Sequence, residues 1–176
     1  MLKEFKPALW FLAKFLGVYF LGNIVYGVYI EGFGQVADPL TSWVSEQIVF
    51  LLSAFGLETS SMADDFAPKV RILLESHSVI SIYEGCNGLN VIIIFIAFLV
   101  AYAGNLPRLV WFIPLGILVI HLMNLTRIIL LFYVAEYYED YLYFTHKYLF
   151  TAIIYVGVLG LWYWWVTYLN KKVEHE

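Results

Sequence analysis

Four stretches of this chain, about 8–30, 88–104, 109–134 and 148–169, are nearly unbroken runs of apolar residues. A hydrocarbon core about 30 Å thick takes roughly 20 helical residues to cross, and the runs are close to that length. Lipid offers no water to the backbone, so each crossing segment must satisfy its own amides, which restricts these runs to helices. The composition agrees: 62% of residues are hydrophobic and 14% are charged, where a soluble domain carries about 25% charged residues. The mean hydropathy is +0.77. The expectation is an all-α membrane protein, residues 1–176 forming one integral membrane domain with about four transmembrane helices.

The first run is expected to stay in the mature chain. Lys3 and Lys6 precede it, but it contains Lys14, and its exit, Val28-Tyr29-Ile30-Glu31-Gly32, lacks a small-x-small cleavage site. The second run ends at Gly104-Asn105-Leu106-Pro107, a tight turn that makes runs two and three antiparallel neighbours. Between the first two runs lies an extramembrane segment, about 31–85. Within it, Asp38 and Pro39 form a cap and first position for a helix over Pro39–Gly56. That helix is short and holds Glu46, so it is read as amphipathic and interfacial. The alternation in Lys69–Glu84 predicts a small β-hairpin. Tyrosines before the last run and Trp162, Trp164 and Trp165 at its end form interfacial belts.

Several function classes are excluded. The net charge is −4 and no basic cluster exists to neutralise phosphates, so no nucleic-acid partner is expected. One cysteine and four scattered histidines offer no zinc or iron–sulfur spacing. No metal or organic cofactor is implied. Basic residues do not set the topology: Lys3, Lys6, Arg108, Lys171 and Lys172 fall on one side and Lys69, Arg71 and Lys147 on the other, and the count is again five to three, with Lys3, Lys6, Lys69, Arg71 and Lys147 together, if Pro39–Gly56 also spans.

The chemistry-bearing residues converge. Cys86, in Tyr83-Glu84-Gly85-Cys86-Asn87-Gly88-Leu89, stands where the extramembrane segment meets the second run. Arg127 is near the far end of the third, and His146 opens the fourth. Antiparallel spans bring all three to one membrane face. At the first turn of the second span, free N–H groups and the helix dipole would favour a thiolate and bind an oxyanion. Gly85 and Gly88 would let a substrate chain approach. His146 would take the thiol proton and return it to a leaving amine. Arg127 at this depth requires a partner or a wet pocket, unless it snorkels to the headgroups. Asn124, one turn before it, would hold Arg127 or His146 in place. His121, deeper, is read as an interhelix hydrogen-bond group, and His77 and His175 as solvated. Glu84 would oppose thiolate formation. The competing classes are a membrane module that assembles an envelope complex, with Cys86 as packing and Arg127 paired to Glu84 or Glu136, and a transporter subunit, for which no inverted repeat or broken helix pair exists.

The set Cys86-Asn87-Gly88-Leu89, Asn124-Leu125-Thr126-Arg127-Ile128 and His146 resembles the exosortase/archaeosortase family, multi-span membrane cysteine enzymes proposed to act as protein-sorting transpeptidases. Over about Pro39 to Leu169 the chain is most similar to the short exosortase F branch of Bacteroidetes. The resemblance implies Cys86 as nucleophile, His146 as general acid and base, Arg127 as oxyanion stabiliser, and Asn87, Gly88 and Asn124 as supporting residues. It implies a site on the outer face of a bacterial inner membrane. The partners it implies are exported proteins with a C-terminal sorting segment, the lipid bilayer and a co-encoded membrane protein. Asn87 stands where the family usually has serine, and the extra spans of longer members are missing.

Overall fold

A computed structural model describes residues 2–102 and 106–169. The chain is mostly helical, with one small sheet. Helix α1 (Leu2–Glu31) leads to α2 (Pro39–Ala54), then strands β1 (Thr59–Ala63), β2 (Lys69–Leu74) and β3 (His77–Tyr83), a 3-10 turn at Glu84–Cys86, and helices α3 (Leu89–Tyr102) and α4 (Leu106–Tyr137). The last helical run is not uniform. A 3-10 turn (Glu139–Tyr141), the one-turn helix α5 (Leu142–Phe144) and a π-helical turn (Thr145–Leu149) lead into α6 (Phe150–Trp164), which closes in a second π turn (Trp165–Leu169).

Among the described residues, three helical stretches are long and apolar enough to cross a membrane: Phe5–Glu31, Pro107–Tyr137 and Glu139–Tyr168. Helix α3 is apolar but has 14 residues, about 21 Å at 1.5 Å per residue. Two expected boundaries move. Leu106 and Pro107 are already helical, so they belong to α4 and not to the preceding turn; Gly104 and Asn105 lie outside the described residues, as does His175. The last helical run begins at Glu139, not near Tyr148.

Helix α2 starts where its cap predicts. The Asp38 carboxylate accepts the Leu40 and Thr41 amides at 2.9 and 3.1 Å. Thr41, Val44, Ser45, Ile48 and Leu52 are its buried positions, spaced by three or four, so they line one face. That face covers the sheet. The expected hairpin is a three-stranded antiparallel sheet, order β1-β2-β3. The added strand, Thr59-Ser60-Ser61-Met62-Ala63, is an edge strand with little buried surface, which explains why hydrophobic alternation does not reveal it. On β2 and β3 the pairs Val70↔Ile82 and Ile72↔Ile80 point inward, and a bulge follows Ile72.

Two cores result. In the cap core, α2 (Val44, Ile48, Leu52) and the sheet pack against Leu125, Ile128 and Phe132 of α4, with Cys86 at the edge. The bundle core joins Phe95 and Leu99 of α3, Phe112 and Ile120 of α4, and Val158, Leu161 and Trp165 of the last run. Phe112 stacks on Trp165 at 5.0 Å and Phe98 on Trp162 at 4.3 Å. Gly116 is required there, because a Cβ would run into the Phe95 ring. Helix α4, 32 residues and about 48 Å long, serves both cores. Helix α1 packs on α3 through Phe11 against Phe98 at 5.7 Å and Gly22 against Ile93, and otherwise exposes apolar side chains such as Leu21, Ile24 and Val28.

Candidate active site

Cys86 ends a single 3-10 turn, and Asn87 and Gly88 separate it from α3. The sequence places it in the first turn of a span; the helix starts three residues later. Gly88 has φ +87°, a left-handed conformation that glycine adopts without strain, and it redirects the chain into α3. One of the free amides at the start of α3 is already used: Asn87 Oδ1 accepts from Leu89 N at 3.0 Å.

Asn87 is a joint between three helices. It is 2% exposed, and its Nδ2 donates to Tyr26 Oη of α1 at 3.0 Å and to Thr41 Oγ1 of α2 at 3.2 Å. Thr41 Oγ1 in turn donates to Asp38, and Tyr26 Oη donates to the Glu84 carbonyl at 2.9 Å. The Glu84 carbonyl and the Leu89 amide of this turn thus each meet a side chain, as buried polar groups require.

Asn124 ties the turn to α4. It is fully buried, and its Nδ2 donates to the Cys86 carbonyl at 2.9 Å. A Cβ on Gly88 would stand 3.2 Å from the Asn124 amide, so Gly88 also permits this approach. One turn on, Arg127 Nη1 donates to Asn124 Oδ1 at 3.5 Å, a long bond. Arg127 Nε is buried with no partner. Counted from Leu106, Arg127 is about 32 Å along α4, a hydrocarbon thickness from its start. Its charge reaches Tyr83 on one element and His146 on another.

His146 sits in the π turn Thr145–Leu149, where Thr151 Oγ1 donates to the His146 carbonyl at 3.4 Å. Such widened turns recur at functional sites. Among the described residues no hydrogen bond joins His146 to Cys86; the Arg127 charge acts on His146 and on Tyr83, which in turn interacts with Cys86. Arg127 also lines a groove of about 290 Å³ between α4 and α6, whose other walls, Thr126 apart, are apolar, including Met123, Leu130, Phe150 and Ile154.

Tyr83 is the residue that sequence reading passes over. Its ring lies across Gly85, where a Cβ would be 2.5 Å from Cε2. Its phenol interacts with the Cys86 sulfur, by charge and as a hydrogen-bond partner. The adjacent Cys86 sulfur first and partial burial second push that phenol above its ordinary value, and Arg127 pulls it down. The spacing Tyr-x-Gly-Cys is a signal in retrospect, hidden among many interfacial tyrosines.

The remaining histidines are accounted for. His121 meets Gln47 Oε1 at 2.8 Å and stacks on Trp43, the interhelix role its depth suggests. His77 is not merely solvated: its Nε2 is 2.9 Å from Glu136 Oε2, so Glu136 holds the sheet's turn to α4. Among the described residues neither Glu136 nor Glu84 forms an ion pair with Arg127. No cluster of three metal-ligating side chains occurs among the described residues.

Comparison with known proteins gives one positive result. The family model for transmembrane exosortases (Exosortase_EpsH) matches residues 6–167. Neither the curated proteins nor the solved structures compared with the chain gave a match. The match takes in α1, the cap, the Cys86 turn, Asn124, Arg127 and His146 together, and with several apolar membrane-spanning helices around them the chain belongs to the transmembrane exosortase family.

Proposed function

We propose that this family member is a cysteine protease or transpeptidase that cleaves C-terminal sorting segments of exported proteins. The observation that carries the reading is the position of Arg127, tied through Asn124 to the Cys86 backbone and in reach of both Tyr83 and His146. In this reading Cys86 Sγ bonds to the scissile carbonyl carbon and its proton passes to His146. The carbonyl π pair moves onto oxygen, held by Arg127, whose Nε has a donor to spare. The oxyanion then collapses, the C–N bond breaks, and His146 returns the proton to the departing amine. An amine or water resolves the thioester.

The reading places the chain in the bacterial inner membrane with the cap and Cys86 outside, and in the exosortase F branch. It takes α3 as a fourth crossing. Support comes from α4, which enters the cap core about 30 Å from its start; in this reading α3, about 21 Å of apolar helix, and the Cys86 turn before it span that thickness. Helix α2 then lies at the outer interface, with Trp43 and Phe50 exposed.

Cys86→Ala and Arg127→Ala are expected to insert normally and to abolish maturation of an exported protein carrying a sorting segment, followed by immunoblot. Normal maturation in either variant would overturn the reading. A second reading, a non-enzymatic assembly module, draws on the burial of Cys86, 5% exposed within the cap core; it requires Cys86→Ser to be silent.

A further inference from the structure

Cys86 is buried and Arg127 lines the groove between α4 and α6, yet one exposed side chain stands beside the cysteine turn. Tyr83 is 46% exposed, ends β3, and is flattened across Gly85, the residue before the cysteine. The glycine matters: any side chain there would lift the ring off the turn, since a Cβ would already be 2.5 Å from Cε2. The strand holds Tyr83 from one side through the Lys69↔Tyr83 pair, while the Cys86 carbonyl is fixed from the other by Asn124. The ring therefore sits beside a cysteine whose carbonyl is held in place.

We propose that Tyr83 is a further catalytic residue, whose phenol O–H donates a hydrogen bond to the carbonyl oxygen as Cys86 attacks, opposite the Arg127 guanidinium. This deepens the nucleophile reading and rests on it. The geometry suits the role. An oxyanion formed on attack by Sγ must lie within about 3 Å of its donors, and the Tyr83 ring lies over the residue before that cysteine. The ring is seated over the residue before the cysteine and the phenol interacts with the sulfur, so its O–H can turn from the sulfur to the incoming carbonyl oxygen. Only a hydrogen bond is donated; the phenol loses no proton, and the proton of the thiol still goes to His146. The main-chain alternative is weaker, because the Leu89 amide at the start of α3 is already bonded to Asn87.

The test uses the full chain in lipid nanodiscs and its single cysteine. Acylation of Cys86 by p-nitrophenyl acetate passes through a tetrahedral oxyanion on the reagent carbonyl. Alkylation by N-ethylmaleimide does not. Both rates are measured by intact-protein mass spectrometry for wild type and Tyr83→Phe, which keeps the ring over Gly85. Loss of one oxyanion donor is expected to slow acylation by about 10²-fold while alkylation changes by less than about threefold. An unchanged acylation rate, or an equal loss in both reactions, would overturn the assignment of Tyr83 and leave Cys86 as nucleophile. Wild-type Cys86 that is never acylated would overturn the nucleophile reading and this one with it.

Discussion

The cap core and the bundle core bury comparable aliphatic side chains but treat polar groups in opposite ways. The buried polar residues, Asp38, Thr41, Ser45, Asn87 and Asn124, lie in the cap or at its seam with the membrane. The bundle core is apolar and aromatic, and the indole N–H groups of Trp162 and Trp165 are buried there without partners. The cause is the backbone. In the bundle, helices satisfy their own amides, so side chains need only pack. At the Cys86 turn the chain leaves helical and strand geometry, and its carbonyls and amides have to be met individually: Glu84 by Tyr26, Cys86 by Asn124, Leu89 by Asn87. The candidate site sits at this seam because irregular backbone next to a bilayer requires polar side chains, and polar side chains supply chemistry.

The largest expected effect separates the two cores by their reference states. Ile72 in the cap and Leu99 in the bundle are both fully buried. Ile72→Ala removes apolar surface otherwise exposed to water and leaves a cavity, about 2–5 kcal/mol. Leu99→Ala loses packing alone, because lipid solvates the side chain when the helices part, so its cost is expected to be clearly smaller. Reversible unfolding by steric trapping in bicelles reads both. Equal losses would break the distinction and place the sheet in lipid.

A smaller effect tests the seam. Asn87→Ala deletes two donated bonds and the acceptor for Leu89, and is expected to cost about 1–3 kcal/mol. The measurement that localises it is hydrogen exchange: amides from Gly85 to Ile92 should exchange faster while those around Ile120 keep their protection. Unchanged exchange at the turn would mean that packing, not this network, holds it.

What the sequence disclosed follows the same division. Apolar runs show the membrane helices because lipid imposes one rule on every residue of a crossing. The short range capping signal of Asp38 and Pro39 located α2. Strand β1 stayed hidden because an exposed edge carries no alternation, and α4 ran beyond its apolar stretch to Tyr137, where Glu136 meets His77 of the sheet. At the site, the sequence shows Cys86, Arg127 and His146 as residue types near the ends of their apolar runs. The function of Asn87 was not, since its partners Tyr26 and Thr41 lie 61 and 46 residues away. Tyr83 escaped notice because its meaning depends on a ring lying over Gly85, and a tyrosine near a bilayer has a sufficient explanation as an anchor.

The smallest effect belongs to the cap's outer edge, where water and its protons have access. Asp64 accepts the Phe66 amide at 3.0 Å and faces Lys69 at 3.6 Å and Arg71 at 3.3 Å. The Phe66 N–H first, and the two cations after it, hold the Asp64 carboxyl below the usual carboxylate range. A carboxyl depressed in the folded state contributes stability above its unfolded value of about 3.9, and loses it as pH falls through the folded value. Asp64→Asn keeps an acceptor for Phe66 and removes only the charge. The gap in melting temperature between wild type and variant should therefore be small and level from pH 7 to about 4, and close below that. Because the cations are partly exposed, salt should shrink it as well. A gap that ignores both pH and salt would mean that the β1–β2 connection is held by the Phe66 bond and not by charge, and the cap's rim would then behave like the bundle, indifferent to the solvent above it.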